Sequence, residues 1–372
     1  MIVGFNARLL KPGLAEGLNV YAKEVIFRLA RRNPSWQFVL FFDHKNFKEF
    51  LPYENMRGIY VPPPSRQMIL YYTWFHFTLP EAVVSIKPDV FLSPEPFIPV
   101  GTGVPVVLTM HDIAYLYEFS GLSLPYRIYY WRMINKYVQE ATHIIANSYY
   151  TMHQTRKLYS LPEEKFTVVG LGIKDFPEPR EPEFKVPERF FLYYGALQPR
   201  KNIPKLLQAF DIVCPELDSY LIVAGRFAWE YDAIIDQWRK MKCRNRVLFT
   251  GTLPDNQIHY LLKKAIALVF PSLMEGFGLP VVEAQKVGCP VITSNTSALP
   301  EIGGEGALFV DPNDEHNIAE AMLSVAIDNA LRKKLIKAGF ENTKRFSWEK
   351  TTERIEEIIK RLMDFRQKRF VS

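Results

Sequence analysis

Cysteine is scarce in this sequence, with only Cys214, Cys243 and Cys289 in a chain of 372 residues. An odd number of widely separated cysteines argues against a disulfide framework and against a zinc site, and it is typical of a reducing compartment. We therefore predict that all three are reduced residues that serve only for packing.

Long hydrophobic runs are also absent. No run approaches the ~18 apolar residues that a membrane-spanning helix needs, and the nearest is the aromatic-rich stretch from Met68 to Leu79. This stretch is predicted to be mainly core, with a membrane surface or an acceptor groove as the alternatives. At the start of the chain, the run from Met1 to Phe5 is too short for a signal-peptide core, because Asn6 and Arg8 interrupt it. It predicts the first strand of a cytoplasmic protein.

The sequence has no large excess of either charge. The 46 Lys and Arg residues against 40 Asp and Glu leave a net charge of +6. This surplus favours anionic partners such as nucleotides or phospholipids, but it is too diluted to indicate nucleic acid. With 48% hydrophobic and 14% aromatic residues, the chain can build packed cores, which excludes a disordered protein. Its length predicts two to three domains.

Short β-branched or aromatic runs alternate with longer helical patterns along almost the whole chain, which is typical of an α/β protein with parallel sheets. Strands are predicted at 2–5, 38–42, 59–61, 90–93, 106–110 and 143–146, and again at 190–194, 220–224, 247–250, 267–270, 291–294 and 307–310. Between the two sets, the segment 174–189 is rich in Pro and charge and predicts a linker. We predict doubly wound domains at 1–173 and 174–347 that face each other across a cleft, followed by a helix at 348–372 that caps one domain or crosses back to the first.

The densest group of candidate site residues lies between Pro271 and Ala284, in the order Pro-Ser-Leu-Met-Glu-Gly-Phe-Gly-Leu-Pro-Val-Val-Glu-Ala. It follows an apolar strand, turns through Gly276 and Gly278, and opens a helix near Leu279. Free backbone N–H groups at a helix start favour an anion such as a nucleotide phosphate. Glu275 and Glu283 would repel that phosphate, so sugar and ribose hydroxyls are their natural partners. Gly-x-Gly turns at strand ends are common, however, and the motif by itself is weak.

A second group strengthens this interpretation. The sequence Gly195-Ala-Leu-Gln-Pro-Arg-Lys-Asn202 follows the first predicted strand of the same half. Arg200 and Lys201 would then lie at the carboxyl edge of the sheet, where ligands of doubly wound folds bind. Two adjacent cations there suit a diphosphate leaving group. For an isolated Arg-Lys pair, a solvated basic turn would be the simpler interpretation.

Together these residues resemble the retaining family 4 glycosyltransferases of the GT-B fold. The segment from Glu275 to Glu283 is similar to the paired-glutamate motif of that family, and Gly195 to Asn202 is similar to its Gly-x-x-x-x-Arg-Lys-Asn phosphate clamp. The resemblance extends over essentially the full chain, including Asn147-Ser148 and the closing Phe346-Ser347-Trp348.

The resemblance implies roles for individual residues. Glu283 would hold the nucleotide ribose, Glu275 the hydroxyls of the donor sugar, and Arg200 and Lys201 the diphosphate. His111 would touch the donor sugar and is grouped with Glu275, Arg200 and Lys201 as catalytic. The implied substrate-binding residues are Gly17, Asp112, Gly276, Phe277, Gly278, Leu279 and Glu283. The loop before the first helix differs from the usual Gly-Gly-x-Gly of the family, since it reads Ala15-Glu-Gly-Leu-Asn19.

The expected reaction moves a hexose from a nucleotide diphosphate to a glycan or lipid-linked acceptor with retention at the anomeric carbon. The sequence resembles mannosyltransferases of cell-surface polysaccharide synthesis, so GDP-mannose is the favoured donor, with UDP-glucose or another hexose nucleotide next. No Asp-x-Asp occurs, and we expect no metal or other cofactor. A nucleotide-sugar epimerase, a phosphorylase and a non-catalytic sugar-nucleotide-binding subunit remain alternatives on the same fold.

The first domain offers candidates for acceptor and membrane binding. They are Arg66, Tyr71, Tyr72, Trp74, Tyr126, Arg127, Tyr129, Tyr130 and Arg132. Aromatic rings can stack on sugar faces, and the arginines could meet a lipid diphosphate or an anionic membrane on its cytoplasmic face.

Overall fold

The computed structural model describes residues 1–13, 17–65 and 67–371; the side chains of residue 119 and of residues 365–371 are not described. The chain forms two compact units. The first comprises Met1–Ile113, Ile128–Gly172 and Phe346–Ser372, and the second comprises Ala114–Arg127 and Ile173–Arg345. The segment Ala114–Arg127, which the predicted boundary assigns to the first domain, therefore belongs to the second unit.

The first unit is built on a seven-stranded parallel sheet in the order β3-β2-β1-β4-β5-β6-β7. Its strands are β1 Ile2–Asn6, β2 Gln37–Phe42, β3 Met56–Tyr60, β4 Val90–Ser93, β5 Val106–Met110, β6 His143–Ala146 and β7 Phe166–Val168. The central strands β4 and β5 are buried from end to end, and β1 is buried from Val3 onward, as expected for a parallel sheet covered on both faces. The order reverses between β1 and β4, which makes this pair the switch point of the sheet.

The helices of the first unit connect these strands. They are α1 Gly17–Arg32, α2 Met68–Thr73, α3 Leu79–Ile86, α4 Leu124–Glu140 and α5 Tyr149–Tyr159. In α1, Tyr21, Val25 and Leu29 repeat every four residues and are buried, which gives the helix the apolar face that it packs on the sheet. The residues of α4 up to Arg127 belong to the second unit.

The second unit contains a six-stranded parallel sheet in the order β10-β9-β8-β11-β12-β13, with its switch point between β8 and β11. Its strands are β8 Phe190–Tyr194, β9 Tyr220–Ala224, β10 Val247–Gly251, β11 Leu268–Phe270, β12 Val291–Ser294 and β13 Ala307–Val310. Its helices are α6 Ile203–Val213, α7 Asp232–Lys240, α8 Asp255–Lys264, α9 Leu279–Lys286, α10 Leu299–Gly303, α11 Glu315–Ile327 and α12 Asn329–Thr343. The α/β class with two doubly wound sheets is confirmed. The predicted linker at 174–189 carries no helix or strand.

The last helix, α13 Trp348–Val371, follows the second unit in the chain but packs on the first. Its contacts there include ion pairs: Arg28 Nε lies 3.0 Å from Oε1 of Glu349, and Arg32 Nε lies 3.0 Å from Oε2 of Glu356. Ile355, Ile358 and Ile359 of this helix are buried as well. Trp348 at its start also lies against Gly172, where a Cβ would fall 2.3 Å from the indole Cγ. The helix is therefore an integral element of the first unit.

The three cysteines are free, as predicted; Cys214 and Cys289 are buried and Cys243 is half-buried. The aromatic-rich stretch is only partly core. Trp74 and Phe75 are fully buried, whereas Ile69 and Phe77 are exposed.

Candidate active site

The switch point of the second unit brings the two predicted motifs together. Arg200 and Lys201 form a short helical turn after β8, and Glu275 lies in the loop after the neighbouring strand β11. These residues are 74 or 75 positions apart in sequence, but the parallel pairing of β8 with β11 puts their loops side by side. The carboxyl edge at a switch point is where doubly wound folds bind ligands.

Glu275 is bound by both cations. Arg200 Nη1 lies 2.9 Å from Oε2 of Glu275, and Lys201 Nζ lies 2.5 Å from Oε1. Arg200 also donates to the carbonyl of Met274 at 3.1 Å, and the Lys201 ammonium lies 4.6 Å from the centre of the Phe270 ring. The side chains of Glu275 and Lys201 are only 8% and 9% exposed. A buried ion triplet of this kind has a net charge of +1.

The cations fix the ionisation of Glu275. Burial raises the pKa of this carboxyl, but the positive charges of Arg200 and Lys201 outweigh it and lower the pKa to about 2. Glu275 is therefore a carboxylate at any working pH, and it can only accept hydrogen bonds.

Neighbouring loops hold the backbone around Glu275. Its N–H donates to Oγ of Ser297 at 3.1 Å, and its carbonyl accepts from the N–H of Ala298 at 3.2 Å. The Asn202 amide donates to the carbonyls of Pro271 and Pro312 at 3.1 and 2.6 Å. The loop is thus rigidly positioned by hydrogen bonds on both sides, which is what a preorganised site requires.

Gly278 ends this loop and precedes α9. Its φ of +99° is in the region that favours glycine, and a Cβ would lie 2.7 Å from Cδ2 of Leu299. Pro280 occupies the first turn of α9, where its missing N–H costs nothing. The turn directs the start of α9, with the backbone of Leu279, toward the carboxyl edge of the sheet, as the motif predicts for an anion site.

Glu283 lies in α9, is buried, and has two polar partners. The Tyr194 phenol donates to its Oε2 at 2.6 Å, and Lys174 Nζ lies 3.8 Å from its Oε1. Lys174 also pairs with Asp255 at 2.6 Å. Burial raises the pKa of Glu283, and the Lys174 charge and the Tyr194 hydrogen bond offset part of this rise. Neither Tyr194 nor Lys174 was singled out from the sequence as a site residue.

A close approach between two glycines shapes the loop that carries the cations. A Cβ on Gly225 would lie 1.8 Å from the carbonyl oxygen of Gly195, so only glycine fits there. The neighbouring N–H of Leu197 donates to the carbonyl of Arg226 at 2.9 Å. The loops after β8 and β9 are therefore in direct backbone contact.

The predicted site residues of the first unit are His111, Asp112 and Gly17, and they lie on two different segments of the chain. His111 follows β5, and its Nε2 donates to the carbonyl of Pro94 at 2.8 Å; its ring lies edge-on to Tyr21 at 4.8 Å. Burial lowers the pKa of His111, although the Pro94 carbonyl, Asp112 and Glu95 oppose this effect, so the imidazole is neutral at neutral pH. Asp112 is the next residue in the chain. Gly17 begins α1 and is exposed, and Ala15 and Glu16 of the same loop lie outside the described residues.

A buried polar group at the switch point of the first unit was missed by the sequence interpretation. Arg8 follows β1 and Glu95 follows β4; Arg8 Nε donates to Oε1 of Glu95 at 2.9 Å, and a second bond joins Nη2 to Oε2. Asn6 donates to Oε1 at 2.9 Å, and the Arg8 guanidinium lies 4.8 Å from the centre of the Tyr71 ring. The signal that could have found this group is positional, since both residues lie two places after a central strand. Each unit thus carries an Arg–Glu pair at its switch point.

The predicted acceptor-binding residues have mixed environments. Trp74 is fully buried and donates to the carbonyl of Val61 at 2.9 Å, so its assignment to a ligand surface is wrong. Tyr72 stacks on His76 at 4.1 Å, and Tyr126 is 45% exposed. Arg66 lies outside the described residues.

No described helix is both long and apolar enough to cross a membrane. Within the same part of the chain, His, Cys, Asp and Glu side chains form no group of three that could hold a metal ion.

Comparison with known proteins places this geometry in a family. The model for Glycosyltransferase Family 4 matches residues 15–175, and the model for Glycosyl transferases group 1 matches residues 175–342. O-antigen chain mannosyltransferase B of Escherichia coli is 31% identical over 261 residues, which are 66% of this chain and 68% of that protein. The chain belongs to the family 4 glycosyltransferases. The predicted family and the predicted enzyme class, a glycosyltransferase, are both confirmed.

Two further comparisons concern this family 4 glycosyltransferase. O-antigen chain mannosyltransferase RfbU of Salmonella typhimurium is 30% identical over 223 residues, covering 59% of this chain and 60% of that protein. The crystal structure of Anabaena HepE in complex with UDP and glucose has a TM-score of 0.72 at 16% identity and covers 96% of this chain and 99% of HepE. At that identity the likeness shows the fold alone, which is GT-B.

Proposed function

We propose that this glycosyltransferase transfers mannose from GDP-mannose, with retention, to a glycan or lipid-linked acceptor in cell-surface polysaccharide synthesis. The observation that carries the proposal is the pairing of Glu275 with Arg200 and Lys201 at the switch point of the second unit. This arrangement offers cations to a diphosphate and a carboxylate to sugar hydroxyls. Mannose is favoured because curated relatives at about 30% identity are named mannosyltransferases.

In the proposed reaction, the bond between the anomeric carbon and the departing phosphate oxygen breaks, and a bond from the acceptor oxygen forms on the same face. The acceptor proton passes to the departing phosphate oxygen, so the step needs no separate base. Arg200 and Lys201 stabilise the negative charge that develops on the diphosphate, which makes leaving-group stabilisation the main catalytic task. We propose that these two cations do so without a metal ion.

The donor role of the second unit leaves the first unit for the acceptor. The group formed by Asn6, Arg8 and Glu95, with the Tyr71 ring beside it, supports this assignment, since planar polar side chains and an aromatic ring suit sugar hydroxyls and sugar faces. His111, after the next strand, would contribute a neutral imidazole.

Transfer of labelled sugar tests the proposal. Purified protein is incubated with GDP-mannose, UDP-glucose or ADP-glucose, with and without lipid-linked acceptors, and with EDTA in a parallel series. We expect mannose transfer from GDP-mannose that EDTA does not abolish, and a thermal shift with GDP larger than with UDP or ADP. Isomerisation of the nucleotide sugar, phosphorolysis, or binding without turnover would support the alternative functions instead.

We also propose peripheral association with the cytoplasmic face of an anionic membrane through α4. Ile128 and Trp131 are 45% and 40% exposed and lie on one face of the part of this helix that belongs to the first unit, next to the exposed Arg132. Arg127 is half-buried and donates to the carbonyl of Leu116 at 3.4 Å, which makes Arg132 and Lys136 the better sites for charge reversal.

Co-sedimentation with phosphatidylglycerol vesicles tests this association. We expect the parent protein to bind these anionic vesicles and not zwitterionic ones. Arg132→Glu combined with Lys136→Glu should abolish the binding to the anionic vesicles. Lys333→Glu with Lys337→Glu, on α12 of the second unit, is the matched control and should bind like the parent protein. Equal binding by both double variants would contradict the membrane proposal without affecting the transferase proposal.

A further inference from the structure

The two cations expected to hold the donor diphosphate already have an anionic partner inside the protein. Glu275 bonds to Arg200 with one carboxylate oxygen and to Lys201 with the other. All three side chains are at least four-fifths buried. A diphosphate that enters this site must therefore draw the cations away from Glu275, or approach them with the carboxylate alongside.

Displacing the carboxylate from its partners is costly unless new donors replace them. A buried carboxylate without hydrogen-bond donors is among the least favourable groups in a protein. Without the two cations burial raises the pKa of this carboxyl, so the group either keeps an unpaired buried charge or takes up a proton, and both changes cost free energy. Phosphate oxygens only accept hydrogen bonds at neutral pH, so they cannot serve as the replacement donors.

A sugar attached to the diphosphate can supply the replacement hydrogen-bond donors for Glu275. Its hydroxyl groups donate hydrogen bonds to a carboxylate, so a nucleotide sugar brings both the anion that takes the cations and the donors that satisfy Glu275. A bare nucleoside diphosphate brings the anion alone. Binding the bare nucleoside diphosphate at this site therefore costs more free energy than binding the nucleotide sugar.

We propose that Glu275 makes this site select the sugar-bearing donor over the bare nucleoside diphosphate, by competing with the diphosphate for Arg200 and Lys201 whenever no sugar hydroxyls are present. The inference rests on the proposed function, since it assumes that a nucleotide diphosphate sugar binds at these residues. It adds a role for Glu275 after the transfer step. Once the sugar has moved to the acceptor, the carboxylate regains the cations and promotes release of the nucleoside diphosphate.

Calorimetric titration with GDP and GDP-mannose tests the role of Glu275. The Glu275→Gln variant keeps the side-chain shape but removes the competing charge, and we expect it to bind GDP about tenfold more tightly than the parent while gaining nothing for GDP-mannose. Glu315→Gln is the matched control, because Glu315 pairs with Lys205 at 2.5 Å in the same unit but is one-third exposed and outside the site. It should leave both affinities unchanged. Unchanged or weaker GDP binding by Glu275→Gln would overturn the inference.

A second measurement uses the unmodified protein and so does not depend on the variant folding. Free mannose supplies hydroxyl donors without a covalent bond to the nucleotide, and millimolar mannose should therefore tighten GDP binding several-fold, with GDP tightening mannose binding by the same factor. Permethylated mannose, in which every hydroxyl is methylated and none can donate a hydrogen bond, should have no such effect. GDP binding that is indifferent to mannose contradicts the inference alone. Failure of the parent protein to bind any of GDP, UDP or their sugars would instead remove the proposed function on which the inference rests.

Discussion

The phenol of Tyr194, the last residue of β8, donates a hydrogen bond of 2.6 Å to Oε2 of Glu283 in α9. This bond joins a central strand of the second sheet to the carboxylate expected to hold the ribose. It fixes one carboxylate oxygen and leaves the other near Lys174, so the carboxylate has a defined orientation before any ligand arrives.

Removing this hydrogen bond should weaken nucleotide binding. Tyr194→Phe keeps the ring but leaves Glu283 without its neutral donor, and we expect the Kd for the nucleotide to rise about tenfold, which corresponds to about 1.4 kcal/mol. Tyr193→Phe is the control, because the neighbouring phenol donates to the carbonyl of Ala196 at 3.2 Å and not to Glu283. Titration calorimetry compares the nucleotide affinities of the two variants. Equal losses of affinity would show that the effect comes from a disturbance of β8 and not from the hydrogen bond to Glu283.

Replacing Lys174 should change the pH dependence of nucleotide binding. The Lys174 charge lowers the pKa of Glu283 against the larger effect of burial, so Lys174→Met raises that pKa further. The carboxylate is then protonated at a higher pH and ceases to accept two ribose hydrogen bonds. We expect the acid limb of the affinity profile to move to higher pH in Lys174→Met.

Lys286→Met is the matched control for that profile. Lys286 pairs with Asp175 at 2.6 Å and donates to the backbone carbonyl of Lys174 at 3.0 Å, but its ammonium has no contact with the Glu283 carboxylate among the described residues. Its profile should coincide with that of the parent protein between pH 5 and 8. An acid limb that stays in place in Lys174→Met would mean that Lys174 does not influence Glu283.

Glu275 should contribute an acid-sensitive part of the protein's stability. Its folded pKa of about 2 lies below the ordinary value of 4.5, so the contribution is complete above pH 4.5 and is lost as the pH falls toward 2. The difference corresponds to about 3 kcal/mol at neutral pH. Calorimetric scans should show Glu275→Gln less stable than the parent at pH 7, with the gap narrowing as the pH falls from 4.5 toward 2.

Glu283→Gln provides a control of opposite sign in the same scans. The folded pKa of Glu283 is raised, so ionisation of this group opposes folding above its unfolded pKa. The variant should be at least as stable as the parent at pH 7 and should lose that advantage in acid. If stability depended on pH in the same way in both variants, the pKa shifts of Glu275 and Glu283 would make no measurable contribution to folding stability.

The Arg8–Glu95 pair should be costly to break but tolerable to remove. Arg8→Met leaves the Glu95 carboxylate buried without its main counter-charge, at a cost of about 3–5 kcal/mol in the free energy of unfolding. Adding Glu95→Gln removes that charge and should recover most of the loss in denaturant titrations. If the pair also contacts the acceptor, the double variant will fold well yet keep a raised acceptor KM, whereas a purely structural pair predicts a normal one.

The sequence predicted the elements with strong local patterns and missed those defined by distant partners. The α/β class and the motif from Glu275 to Glu283 were predictable because each depends on a continuous run of residues. The strand β7 Phe166–Val168 was missed because three residues carry no clear period. Arg8 and Glu95 were missed because 87 positions separate them, and only the pairing of β1 with β4 brings them together.

Within the active site, too, local motifs were predictable from the sequence and contacts between distant residues were not. Arg200 and Lys201 were predicted from sequence to face a diphosphate, and Glu275 to face sugar hydroxyls. The binding of Glu275 by Arg200 and Lys201 could not be predicted, since these contacts depend on the register of β8 beside β11. The roles assigned to the site residues remain predictions, and the binding experiments above test them.

The packing of α13 on the first unit has a consequence for synthesis on the ribosome. Every strand and helix of the second unit is translated before Trp348 and the helix that it begins. Until then, Glu349 and Glu356, the partners that α13 supplies to Arg28 and Arg32, are missing, and the surface of α1 that they cover is open. The second unit is therefore fully translated before the first, so the unit whose chain begins first is the one whose chain is completed last.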